Sequence, residues 1–236
     1  MVKRETGNRK RVGRAVPWPN RLRCALCNRR VPGMDELLYW VGMAAVAVTA
    51  VTGVLEAGRK PIDLFGVVLV ALTAALGGGT IRDLLLDRQV FWLADQTYLF
   101  AALFAGLATF VVVRIARLPP NLFLVPDAIG LALFTVIGTG IALAADVPWF
   151  PATFLGVVTG VFGGVLRDML CNEVPLVFTG ELYGTAAWAG ALGFVALLRL
   201  GVGPALAGFV AMGLIIAIRL AAIQWRITLP RFVARR

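Results

Sequence analysis

Seven stretches of the chain stay apolar for about 20 residues each, near residues 36 to 57, 62 to 86, 97 to 118, 123 to 145, 150 to 171, 181 to 200 and 204 to 225. As helix, that length spans the roughly 30 Å of a bilayer's hydrocarbon. None shows the turn-separated alternation of an outer-membrane barrel. With 59% hydrophobic and 15% charged residues and a mean hydropathy of +0.84, the chain has more apolar surface than a soluble core of 236 residues can hide. It therefore reads as an all-α integral membrane protein with seven transmembrane helices.

The formal net charge of +10 is concentrated at one end. Ten of the 23 Lys and Arg, and one of the 13 acids, fall in residues 1–33, so the membrane portion is nearly neutral. That distribution argues against a nucleic-acid partner. The basic leader lacks an apolar stretch of its own and is not a complete signal peptide. Met34 is followed directly by Asp35, Glu36 and the first apolar run. Two readings fit: translation starts at Met34 and residues 1–33 extend the gene model, or the leader is a disordered basic arm that touches anionic lipid. N-terminal sequencing separates them, a peptide beginning at Val2 excluding the first. Cys24-x-x-Cys27 has the spacing of half a zinc site, but the chain has no His and the third cysteine, Cys171, ends a membrane segment. Neither a metal site nor a disulfide framework is expected.

One motif occurs twice inside this apolar sequence, Gly77-Gly78-Gly79-Thr80-Ile81-Arg82-Asp83 and Phe162-Gly163-Gly164-Val165-Leu166-Arg167-Asp168. The offset of 85 that aligns Arg82 with Arg167 also superposes Gly53 on Gly138, Phe65 on Phe150, Tyr98 on Tyr183 and Arg114 on Arg199 without a gap. The chain thus divides into the leader 1–33, a first three-helix repeat 34–118, a second 119–203, a seventh helix 204–225 and a basic tail 226–236. Three spans per unit is an odd number, so the second unit enters the bilayer from the opposite side, the inverted-repeat plan of channels and transporters. Arg59, Lys60, Arg114, Arg117, Arg226, Arg231, Arg235 and Arg236 gather beside the loops of one side, which puts the C-terminus in the cytoplasm and the N-terminus outside.

Small residues recur every fourth position before each motif's end: Ala71, Ala75 and Gly79, then Gly156, Gly160 and Gly164. In lipid such stripes let two backbones approach closely. Packing alone explains a stripe. Three consecutive glycines, each costing about 1 kcal/mol of helix propensity against Ala, point further, to a kink or unwound turn near mid-membrane. Freed carbonyls at that depth are tolerated where they face protein or a water-filled path, and they suit a partly dehydrated K⁺ or Na⁺. Arg82 and Asp83 are about 100° apart around a helix, which disfavours pairing with each other. The expectation is that Arg82 approaches Asp168 and Arg167 approaches Asp83, with the motifs meeting near the bilayer centre, and the pore assignment is tied to that meeting. The alternative is a latch that never meets solute. Thr80 and Asp127 are further polar candidates for the same interior, Glu56 ends the first span close to Arg59, and Tyr98 and Tyr183 suit interfacial anchors. Trp40, Trp92, Trp149 and Trp225 sit near span ends, as an aromatic belt requires. Without His, the familiar catalytic triads and most catalytic metal sites are excluded, and the Gly77–Thr80 run lacks the ending of a phosphate loop, so an enzyme is not expected.

GGGTIRDLLLD in the first unit, and TGVFGGVLRDMLCNEVPLVF followed by ELY in the second, resemble the prokaryotic trimeric intracellular cation (TRIC) channels, a family also catalogued as a glycine transporter domain. The resemblance spans about residues 34 to 225. It implies a homotrimer in the lipid bilayer of the inner or plasma membrane, each subunit with its own pore for monovalent cations, K⁺ favoured. It also implies second and fifth helices kinked at their glycines and lining the pore at Gly77, Gly78, Gly79, Arg82, Asp83, Gly163, Gly164, Arg167 and Asp168. Animal members carry a Lys-Glu-Val element and bind phosphoinositide; that tripeptide is absent here, so lipid regulation is not implied. A secondary carrier of a small amino acid such as glycine fits inverted repeats and broken helices equally well.

Overall fold

The computed structural model describes residues 34–116, 119, 121–179 and 182–228; the leader with Cys24 and Cys27, Arg117, Glu181 and residues 229–236 lie outside them. The elements are α1 (Met34–Ala57), α2 (Leu64–Leu85), α3 (Phe91–Ala94), α4 (Thr97–Ile115), α5 (Leu124–Ala144), α6 (Trp149–Leu170), a single 3-10 turn (Leu176–Phe178), α7 (Gly184–Arg199) and α8 (Pro204–Trp225). Six of the helices are long and apolar enough to cross a membrane; the seventh, α7, has 16 residues, about 24 Å of helix. The bounds of α2 and α6 are 85 residues apart at both ends, and α3 and the 3-10 turn begin 85 apart.

Local chemistry explains where the long helices start and stop. Asp63 caps α2 by accepting from the Gly66 backbone N–H at 2.8 Å, and Pro204 opens α8 with no N–H to waste. The ends of α2 and α6 match bond for bond. Leu86 and Cys171 donate back to the Arg82 and Arg167 carbonyls, Arg88 and Glu173 donate to the Asp83 and Asp168 carbonyls, and Asp87 and Asn172 turn left-handed with φ of 50° and 54°. Asp and Asn are the non-glycine residues that tolerate this turn best.

Polarity runs opposite to that of a soluble protein. Phe65, Leu85, Phe104 and Ile115 point outward, while Glu56, Arg82, Asp83, Asp127, Arg167, Asp168 and Arg219 are all buried. This is the arrangement a hydrocarbon solvent selects. The core has two parts. One is built mainly on α1 and α2 with Ala102 of α4, the other on α5, α7 and α8 with Val161 of α6. Among the described spans α5 is the most enclosed and α4 the most peripheral. The candidate residues of the second motif lie where α1, α5 and α6 meet, and those of the first lie at the end of α2 beside α3.

Candidate functional site

α2 and α6 are continuous α-helix through their glycine clusters, so the expected unwound turn is absent and no carbonyl is released there. The glycines act by removing side chains. A Cβ on Gly78 would strike the Thr159 carbonyl oxygen, and one on Gly163 would strike the Ala74 carbonyl oxygen. Gly78 and Gly163 correspond under the 85-residue offset, as do Ala74 and Thr159, so each contact is the other's image about a pseudo-two-fold axis. At this crossing the backbones touch, leaving no passage between the two helices. The stripes on the neighbouring faces do the packing expected of them. Cβ atoms on Gly156 and Gly160 would meet Thr139 and Thr135 of α5, and Gly53 of α1 lies against the Ala71 backbone. Gly79 and Gly164 are covered instead by the Phe91 ring and the Tyr183 hydroxyl.

The two motifs meet at this crossing through their glycines, but their charged halves do not meet. Arg82 and Asp168 lie four and five residues beyond the crossing on helices running in opposite directions, about 13 Å apart along the axes. Each arginine pairs with its own sequence neighbour instead. Arg82 Nε donates to Asp83 Oδ1 at 2.9 Å and Arg167 Nε to Asp168 Oδ1 at 2.8 Å. The expected cross-repeat pairs, Arg82 with Asp168 and Arg167 with Asp83, are thus corrected. The 100° between adjacent Cβ vectors constrains short side chains, but the long arginine arm folds back to its neighbour. Each aspartate's second oxygen has a further task that the sequence did not disclose. Asp83 Oδ2 accepts from the Phe91 backbone N–H at 2.9 Å, and Asp168 Oδ2 from that of Leu176 at 3.1 Å, both eight residues on. One carboxylate per motif thus fixes the arginine and the short element after the helix.

The two clusters share this frame and differ in what surrounds it. Arg167 is fully buried and held from three helices: Asp168 on α6, Asp127 on α5 with Nη1 to Oδ1 at 2.6 Å, and Thr52 on α1 with Nη1 to Oγ1 at 3.1 Å. Asp127 Oδ2 and Arg167 Nη2 are buried without a hydrogen-bond partner, so the cluster is incompletely satisfied. The position equivalent to Asp127 in the first unit is Gly42, so Arg82 has no second carboxylate at that place. Around Arg82 the setting is aromatic. Its guanidinium lies 5.6 Å from the Phe91 ring centroid, and Phe91 stacks edge-on against Tyr98 at 5.0 Å. Thr80 is half-buried and already engaged, donating to the Leu76 carbonyl and accepting from Trp92 Nε1 at 3.0 Å.

Other expectations divide. Glu56 pairs with Arg59 at 3.1 Å, and Trp40, Trp149 and Trp225 are exposed at span ends. Tyr183 is not an interfacial anchor. It is buried, its hydroxyl faces Gly164 and its ring lies under Arg219 at 4.7 Å. Arg219, within the last apolar run, is fully buried and donates to the Leu182 carbonyl at 3.3 Å. An arginine at such depth was the available signal, and Thr52 had none. Among the described residues no group of three or more Cys, Asp or Glu side chains is placed to hold a metal.

A family model described as Glycine transporter matches the chain twice, over residues 39–114 and 124–199, two segments again 85 apart. The UPF0126 inner membrane protein YadS of Escherichia coli is 41% identical over 199 residues, covering 83% of this chain and 96% of YadS. The TRIC trimeric intracellular cation channel orthologue of Rhodobacter sphaeroides superposes with a TM-score of 0.78 at 37% identity, over 81% of this chain and all of that one. A second structure, described for conductance through TRIC cation channels, gives 0.75 at 33% identity, over 84% and 98%. Matched by the model over both units and by these relatives over nearly their whole length, the chain belongs to the Glycine transporter (UPF0126) family of multi-pass membrane proteins that includes the prokaryotic TRIC channels.

Proposed function

We propose that the protein is a monovalent cation channel, passing K⁺ or Na⁺, with one path per subunit bounded by α2 and α6. Residues 34–118 and 119–203 are its two inverted units, and Gly77, Gly78, Gly79, Thr80, Arg82, Asp83, Asp127, Gly163, Gly164, Arg167 and Asp168 line or gate the path. The observation that carries this reading is the two-fold-related contact at Gly78 and Gly163, with a buried Arg–Asp pair beyond it on either side. Such a contact holds the path shut, and separation of α2 from α6 opens it. Charge at membrane depth is costly, and a polar path is its usual reason. The names borne by the TRIC relatives, trimeric intracellular cation channel and conductance through cation channels, support cation conduction and a homotrimer. The bias of Lys and Arg supports a cytoplasmic C-terminus and an outward N-terminus in the inner or plasma membrane.

The description attached to the family model favours a second reading, a glycine carrier using the same inverted architecture. Reconstitution into planar bilayers separates the two. Discrete single-channel steps whose reversal potential follows a K⁺ gradient are expected. Saturable glycine uptake without steps overturns the channel.

A further inference from the structure

One end of the subunit carries an ion pair from a turn to the second unit that its inverted counterpart, among the described residues, lacks. The turn between α1 and α2, residues 58–63, lies across the ends of two helices of the second unit. Lys60 Nζ reaches Glu173 Oε1 at 2.5 Å, three residues past the end of α6. Arg59 lies 5.8 Å from the ring centroid of Phe123, the residue that opens α5, while its Nη1 holds the buried Glu56. A second guanidinium, that of Arg167, has its carbon 5.5 Å from the same centroid. Phe123 thus stands between a half-exposed arginine and a fully buried one, with the turn above it and the Asp127–Arg167–Asp168 cluster below.

We propose that the α1–α2 turn is a strap closing this end of the path, with Phe123 as the plug beneath it and the Lys60–Glu173 pair as the catch. This rests on the channel reading for its function and on the contacts alone for its existence. A catch must be easy to release, and an exposed ion pair is held weakly and screened by salt. At the other end, the positions equivalent to Lys60 and Glu173 are Ala145 and Arg88, which cannot form such a pair. The two ends therefore open under different conditions, and this one responds to ionic strength.

Cys171 reports the strap's position. It is buried in the same apolar cluster as Ala57, against which Ile62 packs from the other end of the turn, and it is the free thiol among the described residues. Full-length protein with Cys24→Ser and Cys27→Ser is labelled with a maleimide at neutral pH. Labelling is slow in that background, up to about fivefold faster with Lys60→Glu or Glu173→Lys alone, and slow again when both are exchanged together. Equal rates in all four proteins, or no recovery in the exchanged pair, overturn the strap. Phe123→Ala adds a current measurement: open-channel time rises while the labelling pattern of the charge variants persists. Unchanged open-channel time removes Phe123 as the plug. If the protein carries no current at all, the channel reading fails while the labelling series still decides the strap.

Discussion

Replacing Gly78 with Ala tests the crossing of α2 and α6 directly. The added Cβ falls within 3.1 Å of the Thr159 carbonyl carbon and 3.3 Å of the Gly163 nitrogen, and closer still to the Thr159 oxygen. All three are backbone atoms of a continuous helix, so no rotamer change relieves them. The helices must part by about 1 Å to restore ordinary contact. Overpacking of this kind costs about 1–3 kcal/mol. Against it stands the gain of about 1 kcal/mol in helix propensity from Gly to Ala. The net expectation is a loss of up to about 2 kcal/mol. Gly213→Ala on α8 supplies the comparison, because nothing lies within 4 Å of its Cβ and only the propensity gain remains. Denaturation with SDS from mild detergent, followed by circular dichroism, reads both. Gly78→Ala unfolds at lower SDS than the unaltered protein, and Gly213→Ala at equal or higher SDS. If both variants unfold together at or above the unaltered midpoint, the crossing is not the tight contact described.

Other outcomes follow from the same geometry. Arg167→Gln strips the counter-charge from Asp127 and Asp168 and costs about 3–5 kcal/mol in the same unfolding assay, more than Arg82→Gln, which leaves Asp83 alone; equal losses contradict the asymmetry of the clusters. Asp83→Ala releases both Arg82 and the Phe91 backbone, so amides of residues 86–94 exchange hydrogen faster while those of 171–178 do not; uniform exchange contradicts the local role. Lys60 holds the Glu173 carboxyl below the usual glutamate range, so the pair's contribution is complete above the unfolded-chain value and is lost as pH falls through the lower folded one. Protection of the α1–α2 turn, corrected for intrinsic exchange, is then flat from pH 7 to about 5 and drops only below about 4; a midpoint near neutrality contradicts that sign.

Much of this architecture was readable because apolar runs of bilayer length leave few alternatives, and the observed spans begin and end within a few residues of those runs. The repeat was readable because Gly, Arg and Asp recur in one frame. α3 and the 3-10 turn were missed, since four and three residues carry no usable periodicity. The motif glycines pointed to a kink or an unwound turn; the unwound turn is absent because close packing of the two helices uses the bare backbone while both stay continuous helix. The pairing of Arg82 and Arg167 was misjudged because an inverted repeat brings the symmetric glycines together and carries residues beyond them apart. Asp127 could be placed only as a polar residue facing the interior. That it clamps Arg167 depends on α5 lying against α6, a tertiary fact that spacing within one helix does not encode.

The channel reading depends most on the path lying between α2 and α6 and opening by their separation. Gly77 and Leu166 face each other across that boundary, the Cβ position of Gly77 being 3.9 Å from Leu166 Cγ. In protein with Cys24, Cys27 and Cys171 replaced, Gly77→Cys with Leu166→Cys lies within reach of a disulfide. The measurement is K⁺ current across a planar bilayer before and after reduction, with cross-linking verified by mass spectrometry. The oxidised protein is silent, and single-channel steps appear once reductant frees the helices. Undiminished K⁺ currents from fully cross-linked protein contradict a path between α2 and α6.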